Sequence, residues 1–479
     1  MIVSNRLPVR LEVGPQGGLR PRPAGGGLVT ALGPLVRRRG GLWIGWPGVA
    51  RDDRRFGARD YGEAVADLRA RAGFAIAPVE LSRRDLAEYY HGFCNGVLWP
   101  LLHGLAPSDA LSEAAWQRYV AVNERFADVV AAVIRPADEI LVNDYHLLLL
   151  PRLLRRRGLR NRITCFLHTP FPPGELFERL PWAREICLGL TEAHRVGFQT
   201  RRDHENFASL VERHSRLGHR SGVYPISVDV AEFEDPASGA AVRRRAALIQ
   251  AEMKVPHLVL GVDRLDHTKG LLQKLAGFEI LLDTNPHLRR RICLTQLVVP
   301  SREGARAYRN LRRRLERRIA EINGRFSCRG WVPIHYQYGQ WPREELIAQY
   351  QAADVALVTP VRDGMNLVAK EYCVCQADTH PGVLVLSRFA GAADQLDDAL
   401  LVHPHSAPDI ARALAAAVTM PQEERRRRMR AMVESIRRWD VYEWSRLLLG
   451  GPVPAAPLRV RPSVPAPTAP AARRGCGCG

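Results

Sequence analysis

Residues 359–371 read TPVRDGMNLVAKE and follow the apolar, β-branched run VALV at 355–358. Such a run fits a buried parallel strand, and the residues after it open a helical pattern, so the stretch marks a strand-to-helix turn. In doubly wound sheets ligands collect at that carboxyl edge. The turn offers Asp363 as an acceptor for sugar hydroxyls and Gly364 for close backbone approach. The N–H groups of Asn366, Leu367 and Val368 stand at a helix N-terminus, which suits phosphate. Glu371, one turn in, is placed to hold a ribose diol. An ordinary turn with a capping aspartate fits the same spacing, so the choice falls to the rest of the chain.

A chain of 479 residues is too long for one core and suits two domains. Its hydrophobic share of 46% is that of a globular protein. No apolar run approaches a membrane span and the N-terminus lacks a signal peptide's plan, so a cytoplasmic protein without membrane association is expected. A net charge of +19 raises nucleic acid as a partner. The arginines, however, fall in short clusters at 37–39, 155–157, 312–314 and 425–428 with no aromatic platform among them. A solvated basic surface is the better reading, with acidic phosphosugars benefiting and no specific nucleic acid expected. Lys254, Lys269, Lys274 and Lys370 are the only lysines, against 65 arginines. A surviving lysine suggests a need for a compact ammonium. The nine cysteines show no metal spacing; Cys373 and Cys375 read as core, and Cys476 and Cys478 supply two ligands at most. Neither a metal nor another cofactor is expected.

From the start, MIV is a short apolar strand delivering Ser4, Asn5 and Arg6 to a loop, which leaves a truncated strand or a start further upstream as alternatives. Residues 11–23, rich in Gly and Pro, read as a mobile loop. Gly25, Gly26 and Gly27 precede a helical stretch through Val36, and such glycines let N–H groups face a diphosphate. Trp43 and Trp46 lie in a loop-like setting, GGLWIGWPG, with core packing the default. Ser82 and Asp85 look like a capping box ahead of EYY at 88–90 and NGVLWP at 95–100. Strands over 139–142 and 163–167 end at Asn143-Asp144 and at His168, the latter beside the rigid turn TPFP. A loosened composition at 235–241 predicts a linker, after which the run 258–261 leads to VDRLDHTKG. There Arg264 and Lys269 stand five apart across a strand-to-helix turn and can point into one cleft. A strand over 292–298 ends near Arg302, and Trp341 follows a strand over 335–338. Residues 451–479, dominated by Pro, Ala and Arg, predict a disordered tail.

These words, in this order over residues 1–447, resemble the trehalose-6-phosphate synthases, retaining family 20 glycosyltransferases of the GT-B fold. The resemblance implies two facing doubly wound Rossmann-like domains with the active site in the cleft. The first would span 1–234, the second 242–450 with its last helix crossing back to the first. It implies that Arg6, Tyr90 and Arg302 hold the acceptor's phosphate, that Trp99 lines the acceptor pocket and that Asp144 binds acceptor hydroxyls. His168 would hydrogen-bond a donor hydroxyl near the anomeric carbons. Gly26 and Gly27 would meet the nucleotide sugar, as would Asp363, Gly364, Met365, Asn366, Leu367, Val368 and Glu371. Arg264 and Lys269 would stabilise the departing diphosphate, and Trp341 stands where relatives often place phenylalanine against the nucleotide. Asn143 replaces a histidine common in relatives, and Gln395 a glutamate.

The implied reaction moves glucose from a nucleoside-diphosphate glucose, UDP-glucose first, to glucose 6-phosphate, giving α,α-trehalose 6-phosphate. Small-molecule substrates and a homo-oligomer are the implied partners. Glycerol 3-phosphate or a phosphorylated cyclitol as acceptor is the nearest alternative, and a catalytically silent phosphosugar sensor the next.

Overall fold

A computed structural model describes residues 1–14, 18–23, 26–107, 110–214, 220–376 and 381–450. The first strand, β1 (Ile2–Arg6), is followed by an antiparallel hairpin of β2 (Val9–Val13) and β3 (Leu19–Pro23). Strand β1 is central in a seven-stranded parallel sheet. On one side lie β4 (Leu42–Trp46) and β5 (Ala75–Pro78); on the other lie β6 (Ile140–Asn143), β7 (Ile163–Phe166), β8 (Arg195–Phe198) and β9 (Ser221–Val223). A second, six-stranded parallel sheet centres on β10 (His257–Arg264), with β11 (Ile292–Val299) and β12 (Ile334–Tyr338) to one side. Its other side holds β13 (Val355–Val358), β14 (Val383–Ser387) and β15 (Leu400–Val402).

Burial explains the strand sequences. Strands β6, β7, β13 and β14 are buried at every position, so they read as continuous apolar runs. Helices supply the covering layers. In Glu113–Val133, Ser112 caps the Ala115 N–H, and Trp116, Tyr119, Val122, Phe126 and Val130 form the buried stripe. In Arg306–Phe326 the stripe is Tyr308, Leu311, Leu315, Ile319 and Ile322, which leaves Arg313 and Arg314 exposed. This arginine cluster is a solvated helix face.

The structure corrects several local expectations. Strand β1 runs to Arg6 because its polar residues are satisfied inside: Trp43 Nε1 donates to Ser4 Oγ at 2.8 Å and the Tyr89 hydroxyl to Asn5 Oδ1 at 2.8 Å. Most of 11–23 belongs to the hairpin, and Trp43 and Trp46 lie in β4, both buried. Residues 235–241 join two helices, Ala231–Ser238 and Ala240–Met253, without an extended linker. Cys373 and Cys375 are buried, whereas Gly25, Cys476, Cys478 and the tail lie outside the described residues. The Ser82–Asp85 capping box is present, with Ser82 N–H on Asp85 Oδ2 at 2.8 Å.

The last helix, Val441–Leu448, lies on the first sheet. Trp444 Nε1 donates to the Tyr224 carbonyl at 3.0 Å, and Arg195 donates to the carbonyls of Leu447 and Leu448. No helix among the described residues is long and apolar enough to cross a membrane.

Candidate active site

Each sheet reverses its winding at one point, between β1 and β6 in the first and between β10 and β13 in the second. Ligands bind in the crevice outside the strand ends at such points. Arg6 ends β1 and Asp144 follows β6; Arg264 ends β10 and the turn 359–366 follows β13. The two edges meet. A Cβ added to Gly364 would lie 2.0 Å from the His168 carbonyl oxygen, so only glycine permits this approach.

On one side of the cleft, Arg6 donates to the Tyr90 hydroxyl at 2.9 Å and lies over the rings of Tyr90 and Trp46. Tyr90 stacks on His146 at 5.9 Å. Residues 86–98 are wound as a π-helix, in which nine residues make about two turns, so Tyr90 and Trp99 come to one side. Arg302, from the other domain, sits 4.4 Å over Trp99 and reaches the Tyr145 hydroxyl at 3.5 Å. Its backbone is left-handed, with φ of 48°. Tyr308 donates onward to Asp266, which two nearby arginines, 302 and 264, hold at about 2 against the pull of burial. His91 and His146 are lowered first by burial and then by the charges of both Arg6 and Arg302. Two cations from opposite domains therefore converge on one patch.

At the next strand end Asp144 adopts φ of 71°, and its Oδ1 accepts from the His168 N–H at 3.2 Å. Burial raises its carboxyl to about 6, opposed by the N–H groups of Tyr145, His168 and Thr169. The His168 ring touches Asn143 through Nε2 at 3.0 Å, and burial lowers it to about 3, which keeps it neutral.

Across the cleft Lys269 forms a short ion pair with Asp363, which Asn366 Nδ2 also contacts at 3.1 Å. Burial pushes Asp363 up, but Lys269 and neighbouring cations outweigh it and hold the carboxyl below its ordinary range. Arg264 is exposed, 5.7 Å from the Trp99 ring. Helix Leu367–Cys375 begins at Asn366, whose side chain makes no capping hydrogen bond, so the Leu367 and Val368 end carries no side-chain cap. Gly27 opens the helix Gly27–Arg39 against it: a Cβ there would lie 3.2 Å from Leu367 Cδ1, while around Gly26 the space is open. Met365 is a core residue at 3% exposure. Glu371 is buried, with Oε2 already accepting from the Tyr350 hydroxyl at 2.8 Å. Trp341 stands on the loop after β12, its Nε1 on Gln337 Oε1 at 3.1 Å.

Sequence reasoning missed His91, His103 and His146. His103 lies 4.0 Å from Trp99, is lowered to about 4 by burial, and feels Asp266 and Asp363. Adjacency to Tyr90 and Tyr145 was the available signal for His91 and His146. Two lysines hold buried positions instead. Lys274 pairs with Asp263 at 0% and 1% exposure, and Lys370 is buried against Ile226 and Gln395. No group of three or more His, Cys, Asp or Glu able to hold a metal occurs among the described residues.

The glycosyltransferase family 20 model matches residues 1–450. The chain is 42% identical to a trehalose-6-phosphate synthase of Mycolicibacterium vanbaalenii over 471 residues, 94% of each chain. A trehalose-6-phosphate synthase of Mycolicibacterium smegmatis is equally identical, covering 94% of this chain and 91% of its own. Among solved structures, a UDP-forming α,α-trehalose-phosphate synthase from Burkholderia xenovorans, in complex with glucose-6-phosphate, superimposes with a TM-score of 0.83 at 34% identity, over 94% of this chain and 99% of its own. An E. coli chain bound with UDP-2-fluoro glucose gives 0.82 at 34% identity, over 94% and 99%. Two Rossmann-like domains of GT-B type, cations converging across their cleft and a family match over residues 1–450 lead to one assignment: the chain belongs to glycosyltransferase family 20.

Proposed function

We propose that the chain transfers glucose from UDP-glucose to the anomeric hydroxyl of D-glucose 6-phosphate with retention, forming α,α-trehalose 6-phosphate. The observation that carries this reading is the convergence of Arg6 and Arg302, from opposite domains, on the patch of Tyr90, His146 and Tyr145. A dianionic phosphate there would be gripped from both sides, and its binding energy would favour the closed cleft. Trp99 would wall the sugar and Asp144 would accept from its hydroxyls. On the donor side the uncapped helix end at 366–368, with Gly26 and Gly27 opposite, suits the diphosphate. Asp363 and His168 would orient the glucose hydroxyls, Glu371 the ribose, and Trp341 the base.

The acceptor oxygen attacks on the face the leaving group departs from, and a donor phosphate oxygen takes its proton. Charge grows on the diphosphate as the bond breaks. Arg264 and Lys269 supply fixed positive charge there, a contribution realised in the transition state. Lys269 is held by Asp363 beforehand, so little reorganisation is needed.

In this reading the acceptor domain spans 1–234 and the donor domain 242–450, and the enzyme works in the cytoplasm without a metal. The test is product formation from UDP-glucose with glucose 6-phosphate, glycerol 3-phosphate or no acceptor, repeated with GDP- and ADP-glucose. Trehalose 6-phosphate from the first acceptor alone is the expected result. Transfer to glycerol 3-phosphate instead would reassign the acceptor, and no transfer with any pair would overturn the enzymatic reading.

A further inference from the structure

Asn143 ends β6 fully buried, one strand away from His168. Its Nδ2 faces two backbone carbonyls, Leu141 at 3.1 Å and Val3 at 3.3 Å. Carbonyls only accept, so the amide nitrogen must occupy that side. The amide oxygen is thereby turned to His168 Nε2 at 3.0 Å. An amide oxygen also only accepts, so the contact is a hydrogen bond only when Nε2 carries the proton. A neutral imidazole has a single N–H, which leaves Nδ1 with a free lone pair.

The ring has little other freedom. Phe166 packs against it edge-on at 4.7 Å, Asp144 holds its backbone N–H, and Gly364 abuts its carbonyl. His168 is half-buried. We propose that Asn143 is a positioning residue that locks His168 as the Nε2–H tautomer, so that Nδ1 serves as an obligate acceptor for a hydroxyl of the donor glucose. The hydroxyl half of this assignment rests on the glucosyltransfer reading; the tautomer half stands on Asn143, Leu141 and Val3 alone. The opposite tautomer would present a donor to the same hydroxyl and lose the bond to Asn143.

The experiment is long-range ¹⁵N–¹H correlation NMR on the full chain with ¹⁵N-labelled histidine, the His168 signals being identified by their loss in His168→Gln. At pH 7 the wild type is expected to show a protonated Nε2 and an unprotonated Nδ1. Asn143→Leu, of similar size without an acceptor, gives a mixture of tautomers. Glucosyl transfer by the leucine variant falls ~10-fold, the scale of one hydrogen bond, with the KM for glucose 6-phosphate unchanged. UDP-glucose moves the Nδ1 signal of the wild type and UDP alone does not. A proton on Nδ1 in the wild type, or an unaltered tautomer in Asn143→Leu, overturns the lock. An Nε2–H tautomer whose Nδ1 ignores UDP-glucose overturns the hydroxyl assignment while leaving the lock standing. Should the leucine variant not fold, the wild-type spectrum decides, since a proton on Nδ1 there overturns the lock by itself.

Discussion

Lys370 lies on the buried helix Leu367–Cys375, and its ammonium donates to the Ile226 carbonyl at 2.8 Å and to Gln395 Oε1 at 2.6 Å. Both acceptors are neutral, and burial lowers the group from 10.5 to about 7. The folded value lies below the unfolded one, so between pH 7 and 10.5 the unfolded chain binds more protons and stability rises with pH. Below pH 7 the full cost of the buried charge is present, on the order of 5 kcal/mol from 1.36 kcal/mol per pH unit. Replacing Gln395 by glutamate puts a carboxylate where the amide oxygen now sits and holds the proton on Lys370. Desolvation of the new carboxylate offsets part of the gain. Relative to wild type, Gln395→Glu is most stable at pH 6 and loses that advantage, by several kcal/mol, as pH rises toward 10. Urea unfolding of both proteins at pH 6, 7.5 and 9 measures it, and a wild-type-to-variant gap that stays constant across those three values would refute the reasoning.

Arg264→Ala is expected to lower kcat by about 10²–10³, the scale of a lost oxyanion donor, with the circular dichroism spectrum unchanged; near-normal turnover removes Arg264 from the chemistry. Gly364→Ala places a methyl 2.0 Å from the His168 carbonyl across the cleft. It should abolish most activity while each domain's secondary structure persists, and small-angle scattering should show a more open molecule. Lys274→Met leaves the buried Asp263 carboxylate without its counter-charge, an expected loss of roughly 3–5 kcal/mol in denaturant unfolding. The double variant Lys274→Met, Asp263→Leu should recover most of it.

The strand ends were legible because they are local. The run 355–358 followed by Asp363 and Gly364, or 163–167 followed by a proline turn, states burial and then a turn within ten residues or so. Strand β1 was read too short because Ser4 and Asn5 look like loop residues, and only Trp43 and Tyr89 from elsewhere make them strand. The hairpin β2–β3 was missed since prolines and glycines mask a pairing that needs both strands at once.

What the sequence by itself determined is the alternation of buried strands and amphipathic helices, and the turn chemistry that places Asp144, His168, Arg264 and Asp363 at strand ends. Periodicity and turn preference act over one or two turns of chain, so they survive without a partner. Tertiary structure alone decided that Arg302 crosses to Trp99, that His91 and His146 feel the charges of both Arg6 and Arg302, that Gly364 meets His168, and that Asn143 faces the imidazole. Those pairings are set by parallel-strand order and by the approach of two domains, where charge and hydrogen bonding act between residues far apart in the chain and leave no local periodic trace.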